Sequence, residues 1–435
     1  MKKIKILSIT PHLGGGAGNA IKTLALCKDK YDHKIASLDI TLTPYSDTLE
    51  VFQNMYNDID QLMRLIEETD IVLIHWWNHP MLFDLLVNYT WPECRIVMWS
   101  LASCLAPPYT HSEKLLNFSD RFIFTSPVSF ESPEIKELPT IQKDKLNTIW
   151  ASGDFSAFKN FKKKKHKRFN VGTIIGSADY SKLNPNFIKI YSLIDVPDIH
   201  FTIICSEDFS KQLKKDIEKE CISDRITIKT NVSNIFEYLE TFDVFSYPLQ
   251  PFHFGTCELA LGEAMLSGVP PIVFSNPTEN YIVDHLKTGC VADTIYEYAQ
   301  YILYLYNNPR IRKEMGKKAI KSAKKLYSLK LEYKKWGLEF NYLMTLPKSQ
   351  KKWDSLYNTV IHGSSLFCES LGRYGHIFYE DIFNSTPKTR EEIYNLFQSN
   401  PQWYSKNKGG VNHYLQYFPE DTKLKEWKKL LGEIE

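Results

Sequence analysis

The stretch from Phe252 to Pro271, FHFGTCELALGEAMLSGVPP, concentrates groups able to do chemistry. It follows an apolar run, Val244–Tyr247, that reads as a strand, and it opens a helical pattern, Cys257–Ser267. Thr256 suits the N-cap of that helix. The backbone N–H groups of Gly255, Thr256 and Cys257 then face the crevice above the strand ends, where open α/β sheets bind ligands. A helix N-terminus in that place attracts an anion, and a diphosphate is the natural guest. Glu258 and Glu263 are separated by about 140° around a helix, so they address different groups of one ligand. Solvated surface glutamates give the same pattern.

Two further clusters belong to the first third of the chain. Gly14-Gly15-Gly16-Ala17-Gly18 follows the β-branched run Lys3–Ile9. Glycines there let backbone approach a phosphate, but Asn19 or Ile21 falls where a dinucleotide fingerprint needs its last glycine. No Gly-Lys followed by Ser or Thr makes a P-loop. A general anion-contact loop and a plain tight turn both remain. The segment Ile71–Pro80, IVLIHWWNHP, ends a strand with His75, Trp76, Trp77, Asn78 and His79. Indole faces beside imidazoles suit a sugar platform; a buried aromatic cluster is the alternative. Asp58-Ile59-Asp60 has metal-binding spacing, yet it falls inside the helical pattern Leu49–Glu68 and reads as a solvated face. Neither Gly-x-Ser-x-Gly nor HExxH occurs. The eight cysteines form no CxxC pair, so reduced thiols are expected, without zinc.

These groups need elements to position them. Short continuous apolar runs alternate with helical stretches: Lys3–Ile9, Ile71–His75, Cys94–Trp99 and Arg121–Phe124, then Phe169–Ile175, His200–Cys205, Arg225–Lys229, Val244–Tyr247 and Pro271–Phe274. Helices are expected at Lys211–Glu220 and Ile295–Asn307. That alternation predicts two α/β units in tandem, each with a parallel sheet covered on both faces. The basic run Lys162–Arg168 reads as a solvated linker, with contact to an anionic membrane surface or to a phosphate as the alternative. From about Lys348 the chain turns helical, aromatic and lysine-rich, and reads as a packed cap or as an acceptor or partner platform. Its 435 residues suggest two to three domains at about 150 each. Fifty-three basic against 51 acidic residues exclude bulk nucleic-acid binding. No apolar run reaches the roughly 18–20 residues of a membrane helix, and Pro11 and His12 interrupt any signal-peptide core, so a cytoplasmic protein is expected.

The segment GEAMLSGVPPIVF resembles the donor-binding segment of retaining glycosyltransferases of the GT-B fold, glycosyltransferase family 4. The resemblance places Glu263 at the ribose-contacting glutamate. Gly255 stands where the family usually carries a second glutamate, and Phe252–Glu258 is similar to the family variant HFGT-x-E. Asn170–Pro185, NVGTIIGSADYSKLNP, resembles the strand and loop that bring an Arg and a Lys to the donor diphosphate. Lys182 takes the Lys position and Thr173 the Arg position. Thr148–Phe158 resembles the inter-domain crossover, with Asp154 at its hinge, and Glu279–Val291 the segment after the donor site. Met98–Cys104 resembles a segment that often carries a His, where Leu101 stands. Gly409–Trp427 resembles an ending of some bacterial members.

The resemblance implies two Rossmann-like parallel-sheet domains facing a cleft, 1–155 for the acceptor and 156–347 for the nucleotide sugar, with a helical extension, 348–435. It implies a hexosyltransferase that moves a sugar from a nucleotide-diphosphate sugar to a hydroxyl of a glycan, lipid-linked saccharide or protein, with retention and without a metal or other cofactor. His75, Lys182 and Glu258 are the expected catalytic groups. Gly14, Gly15, Gly16, Lys182, Gly255, Thr256, Cys257, Glu258 and Glu263 are expected at the donor, and Trp76, Trp77 and His79 at the acceptor. Peripheral association with the inner face of a membrane is a further expectation. Two other readings share the fold: a nucleotide-sugar epimerase using His253, Glu258 and His75, and an inactive sugar-binding homologue, for which Gly255 and Thr173 speak.

Overall fold

A computed structural model describes residues 3–27, 30–41, 45–176, 178–355 and 360–432. Ser177, inside the Asn170–Pro185 segment, and the two leading residues lie outside them. The chain forms two compact units. One comprises Met1–Ala151, Phe254–Thr256 and Lys330–Glu435; the other comprises Ser152–His253 and Cys257–Leu329.

Among the described residues the first unit holds a seven-stranded sheet: β1 (Ile4–Thr10), β2 (Tyr31–Ser37), β3 (Glu50–Phe52), β4 (Ile71–Trp76), β5 (Ile96–Ser100), β6 (Arg121–Phe124) and β7 (Leu146–Thr148). The order is β3-β2-β1-β4-β5-β6-β7, with every ladder parallel. The second unit holds β8 (Phe169–Gly176), β9 (Ile199–Cys205), β10 (Ile226–Lys229), β11 (Val244–Tyr247), β12 (Pro271–Phe274) and β13 (Cys290–Ala292), in the order β10-β9-β8-β11-β12-β13, again all parallel. Continuous apolar strands such as β4 are buried along their whole length, as a sheet covered on both faces demands. Each sheet reverses its order once, between β1 and β4 and between β8 and β11. Ligands of open α/β sheets bind beyond the carboxyl ends of the strands at such points.

Several expectations need correction. Leu49–Glu68 is not one helix. Asn54 adopts a left-handed φ of 59°, so Glu50–Phe52 extends and pairs with β2, and the helix starts at Ile59. Asp58 is its N-cap, accepting from Gln61 N–H at 3.1 Å. The glycine cluster is no loop but the start of the helix Gly15–Ala25, with Gly14 as N-cap. Gly15 has φ +63°, and a Cβ on Gly18 would sit 1.9 Å from the Leu13 carbonyl oxygen. The basic run Lys162–Arg168 is exposed, yet it belongs to the second unit and does not link the two. Lys163 donates to the Leu239 and Phe242 carbonyls, and Lys164 pairs with Glu240.

The C-terminal helices Gly363–Ser370, Gly375–Phe383, Pro387–Gln398, Val411–Tyr417 and Thr422–Gly432 pack within the first unit. A continuous core runs from Val72, Ile74 and Trp76 of β4 through Phe83 to Phe367, Phe378, Tyr414 and Trp427. Asn78 ties this layer down: its amide donates to the Pro108 carbonyl at 2.9 Å and accepts from the Tyr414 hydroxyl at 3.1 Å. No helix among the described residues is long and apolar enough to cross a membrane.

Candidate active site

The switch point of the second unit gathers a buried polar network. Lys182 follows β8 in a turn whose Lys182 N–H donates to the Asp179 carbonyl at 2.9 Å. That turn is fastened to the segment after β11, because Gln250 N–H donates to the Lys182 carbonyl at 3.0 Å. Tyr247 is the last residue of β11, and its backbone N–H donates to the Tyr298 hydroxyl at 2.8 Å. Tyr247 therefore ends one of the two strands that flank the reversal, and Lys182 lies in the turn that follows the other.

Glu258 sits between them. Its backbone is left-handed, φ 36° and ψ 71°, a conformation that costs a non-glycine residue of order 1–3 kcal/mol. The strain turns the chain sharply ahead of the helix Leu259–Leu266 and folds the carboxylate back toward β8 and β11. One oxygen accepts from Lys182 Nζ at 2.8 Å and from the Tyr247 hydroxyl at 2.5 Å. The other lies 3.7 Å from His253 Nδ1, while His253 Nε2 is 3.0 Å from Glu279. The Tyr327 hydroxyl donates to the Cys257 carbonyl at 2.5 Å and braces the same turn. Burial alone would raise the Glu258 carboxyl, but Lys182, His253 and the Tyr247 hydroxyl outweigh it and hold it below its ordinary value. Tyr247 shows the reverse: burial and the adjacent carboxylate push its phenol up, so it stays a donor.

Glu263 behaves differently. It lies on the helix Leu259–Leu266, and its carboxyl has no partner among the described residues. Burial raises it to about 7. Glu263 is partly buried, and a partly desolvated carboxylate without a partner is costly to ionise unless a ligand hydroxyl meets it. The first-turn N–H groups of Leu259 and Ala260 lie outside the helix ladder and add a positive pole beside Lys182. The arrangement thus offers a cation and a helix pole for a diphosphate, an ionised carboxylate for sugar hydroxyls, and a second carboxyl for a further diol.

The expected N-terminus of this helix is corrected by two residues. Thr256 is not its N-cap; its hydroxyl accepts from the Thr125 hydroxyl at 2.7 Å, and Gly255 and Thr256 count with the first unit. The helix begins at Leu259 because Glu258 takes the capping position. Tyr247 and Tyr327 carried no sequence signal for this network, since Tyr247 reads as an apolar strand end; Glu279 opens the segment likened to the one after the donor site, but nothing in its placement 21 residues beyond Glu258 assigned it a role here. Thr173, at the expected Arg position, is fully buried in β8 and bonded to the Tyr191 hydroxyl at 2.6 Å.

The remaining expected residues lie in the first unit. Gly15 and Gly16 are exposed at the start of their helix, and Gly14 is partly so. His75 is fully buried within β4; its Nε2 meets Ser8 Oγ at 2.8 Å, and its ring packs 5.6 Å from that of Trp99. Burial and neighbouring His33 hold that imidazole well below its ordinary value. Trp76 points to the opposite face, fully buried beside His111 and Phe122, and so offers no open indole face. Trp77 and His79, past the strand end, lie together with ring centroids 6.2 Å apart.

Comparison with known proteins bears on the fold and on the family of the second unit. Curated proteins give no match. Solved structures share the fold at low identity. A glycosyltransferase from Rickettsia africae ESF-5 has a TM-score of 0.61 at 14% identity, over 79% of this chain and 99% of that one. Anabaena HepE in complex with UDP-glucose gives 0.61 at 13%, over 78% and 100%. Sucrose-phosphate synthase from Thermosynechococcus elongatus gives 0.62 at 13%, over 79% and 100%. The two Rossmann-like parallel-sheet domains are those of the GT-B fold. Residues 156–322, which hold Lys182, Tyr247, His253, Glu258, Glu263 and Glu279, match the family described as Glycosyl transferases group 1, and glycosyl transfer is the general activity this supports.

Proposed function

We propose that the chain transfers a hexosyl group from a nucleotide-diphosphate sugar to a hydroxyl of a glycan or lipid-linked acceptor, with retention and without a metal. The observation that carries the reading is the Lys182–Glu258 pair, 2.8 Å apart and held by a strained turn at the sheet reversal. Lys182 and the helix start at Leu259 neutralise charge that grows on the departing diphosphate, the role a preorganised cation fills best. Glu258 orients Lys182 and accepts from donor-sugar hydroxyls. His253 and Glu279 hold Glu258 in place. Glu263 takes the ribose diol. With leaving-group charge met by these groups, the acceptor hydroxyl attacks on the leaving-group face and the configuration is kept.

UDP-glucose, the ligand of the Anabaena neighbour, is the first donor to try. Incubation with a panel of nucleotide sugars and saccharide acceptors, followed by NMR of the product, tests the reading. An α-linked product from an α-linked donor supports it; an inverted product, or an epimerised donor without acceptor, refutes it.

A further inference from the structure

The switch point of the first unit carries a second cluster, built jointly with the C-terminal helices. His12 follows β1, and Trp77 and His79 follow β4, so the two sides of the reversal each contribute rings. Their centroids are 5.2 Å apart for His12–Trp77 and 6.3 Å for His12–His79. The helix Val411–Tyr417 completes the group: His413 lies 4.8 Å from His79, and Tyr417 5.3 Å from it. Lys408 stands beside them, its ammonium 5.0 Å from the centre of the Phe254 ring.

The hydrogen-bond roles in this cluster are one-sided. Gly14 N–H donates to His12 Nδ1 at 3.1 Å, and Gly409 N–H donates to His413 Nδ1 at 3.0 Å. A neutral imidazole that accepts at Nδ1 carries its proton on Nε2, so both rings are donors there. Burial and nearby Lys408 keep both rings neutral, pushed down to about 4 for His12 and about 3 for His413. Trp77 Nε1–H and His79 Nδ1 are buried with no partner among the described residues. Asp39, exposed beyond β2, is the acid whose charge reaches His12. The cluster thus holds two imidazole N–H donors and a buried indole N–H, with the charge of Lys408 close to both His12 and His413. N–H donors gathered beside a cation suit an oxygen-rich, negatively charged guest.

We propose that this cluster binds a negatively charged substituent, phosphate or carboxylate, of the acceptor saccharide, with Lys408, His413 and Tyr417 of the C-terminal segment as specificity-determining residues. The proposal rests on the glycosyl-transfer reading for calling the guest an acceptor, but its binding chemistry belongs to the first unit alone. The start of the segment lies close against Asn78: Gly409 has φ +76°, and a Cβ there would lie 2.7 Å from the Asn78 side chain.

Titration calorimetry on the full chain, with glucose 1-phosphate, glucuronic acid and glucose as probes, tests it. Each probe is measured alone and with saturating UDP. The two anionic probes are expected to bind at least about tenfold more tightly than glucose. Lys408→Ala is expected to remove that difference, and His413→Phe to weaken both anionic probes about tenfold, with UDP affinity and melting temperature unchanged. Preference for one anionic probe tells phosphate from carboxylate. Equal affinity of glucose and the anions, no binding of any probe, or displacement of glucose 1-phosphate by UDP overturns the proposal. Wild-type UDP affinity alongside any of these leaves the donor reading standing. Should His413→Phe lower the melting temperature, Lys408→Ala decides: an unchanged preference for anions in that variant is also refuting.

Discussion

Replacing Glu263 with Gln keeps shape and removes one ionisation, and the structure sets the size of the effect. The carboxyl moves from 4.5 to about 7 by burial alone. At about 1.4 kcal/mol per tenfold change, the ionised carboxylate costs the folded chain about 3 kcal/mol. The folded state holds the proton more tightly than the unfolded state. The cost is therefore absent below pH 4.5, grows between 4.5 and 7, and is complete above 7. Glu263→Gln should match the wild type at pH 4 and exceed it by about 3 kcal/mol at pH 8. For a unit of about 150–250 residues that corresponds to a gain of roughly 6–12 °C in melting temperature. The same substitution should weaken nucleotide-diphosphate binding by about 1.5–3 kcal/mol, because a ribose diol loses a charged acceptor. Binding to the wild type at pH 6 should release close to one proton, since the diol selects the ionised form. Calorimetry in two buffers of different ionisation enthalpy measures that release. Identical pH–stability profiles for both proteins would show that partial burial does not raise the Glu263 carboxyl. Unchanged affinity and no proton release would remove it from the nucleotide site.

Lys182→Ala should lower kcat more than it raises the KM for donor, because charge on the diphosphate peaks in the transition state; a change confined to KM refutes this. Glu258→Gln should flatten the acid limb of the stability curve. Its carboxyl is held below the ordinary value, so its contribution is present above pH 4.5 and lost as pH falls through the folded value, which acid unfolding monitored by circular dichroism follows. Gly409→Ala meets both a left-handed backbone and the Asn78 side chain, and should cost about 1–3 kcal/mol in thermal melts. Thr173→Arg should destabilise the second unit without restoring a second cation, because Thr173 is sealed in the core against Tyr191.

How much of this was legible follows from where each signal resides. Central strands such as IVLIHW and VFSY are apolar because both faces are covered, and they can be read directly. Edge or mixed strands are not: β2 reads YDHKIAS, and β3 and β7 are three residues each, so their pairing with neighbours defines them more than their composition does. The same division holds in the sites. Lys182, Glu258 and Glu263 sit in motifs with local spacing, and the first two meet at 2.8 Å. Tyr247 and Glu279 join them only through the fold, since nothing about a tyrosine at a strand end or a glutamate 21 residues downstream predicts that one meets Glu258 and the other its neighbour His253.

His75 and Trp76 show the converse failure. Adjacent residues of a strand face opposite sides, and β4 continues through Trp76, so His75 turns to Ser8 and Trp99 while Trp76 turns to His111 and Phe122. A platform of neighbouring rings needs the chain to leave the extended state first. It does so at Trp77; past that point Trp77 packs against His12 and His79, and His79 meets His413 and Tyr417, the latter 338 residues away in sequence. The reversal of strand order fixes where both polar clusters form. In each unit the founding groups, His12, Trp77 and His79 in one and Lys182, His253 and Glu258 in the other, come from the segments after the first and fourth strands of its sheet, and later elements add His413, Tyr417 and Glu279; only at that reversal do neighbouring strands send their connections to opposite sides and leave the crevice between them open.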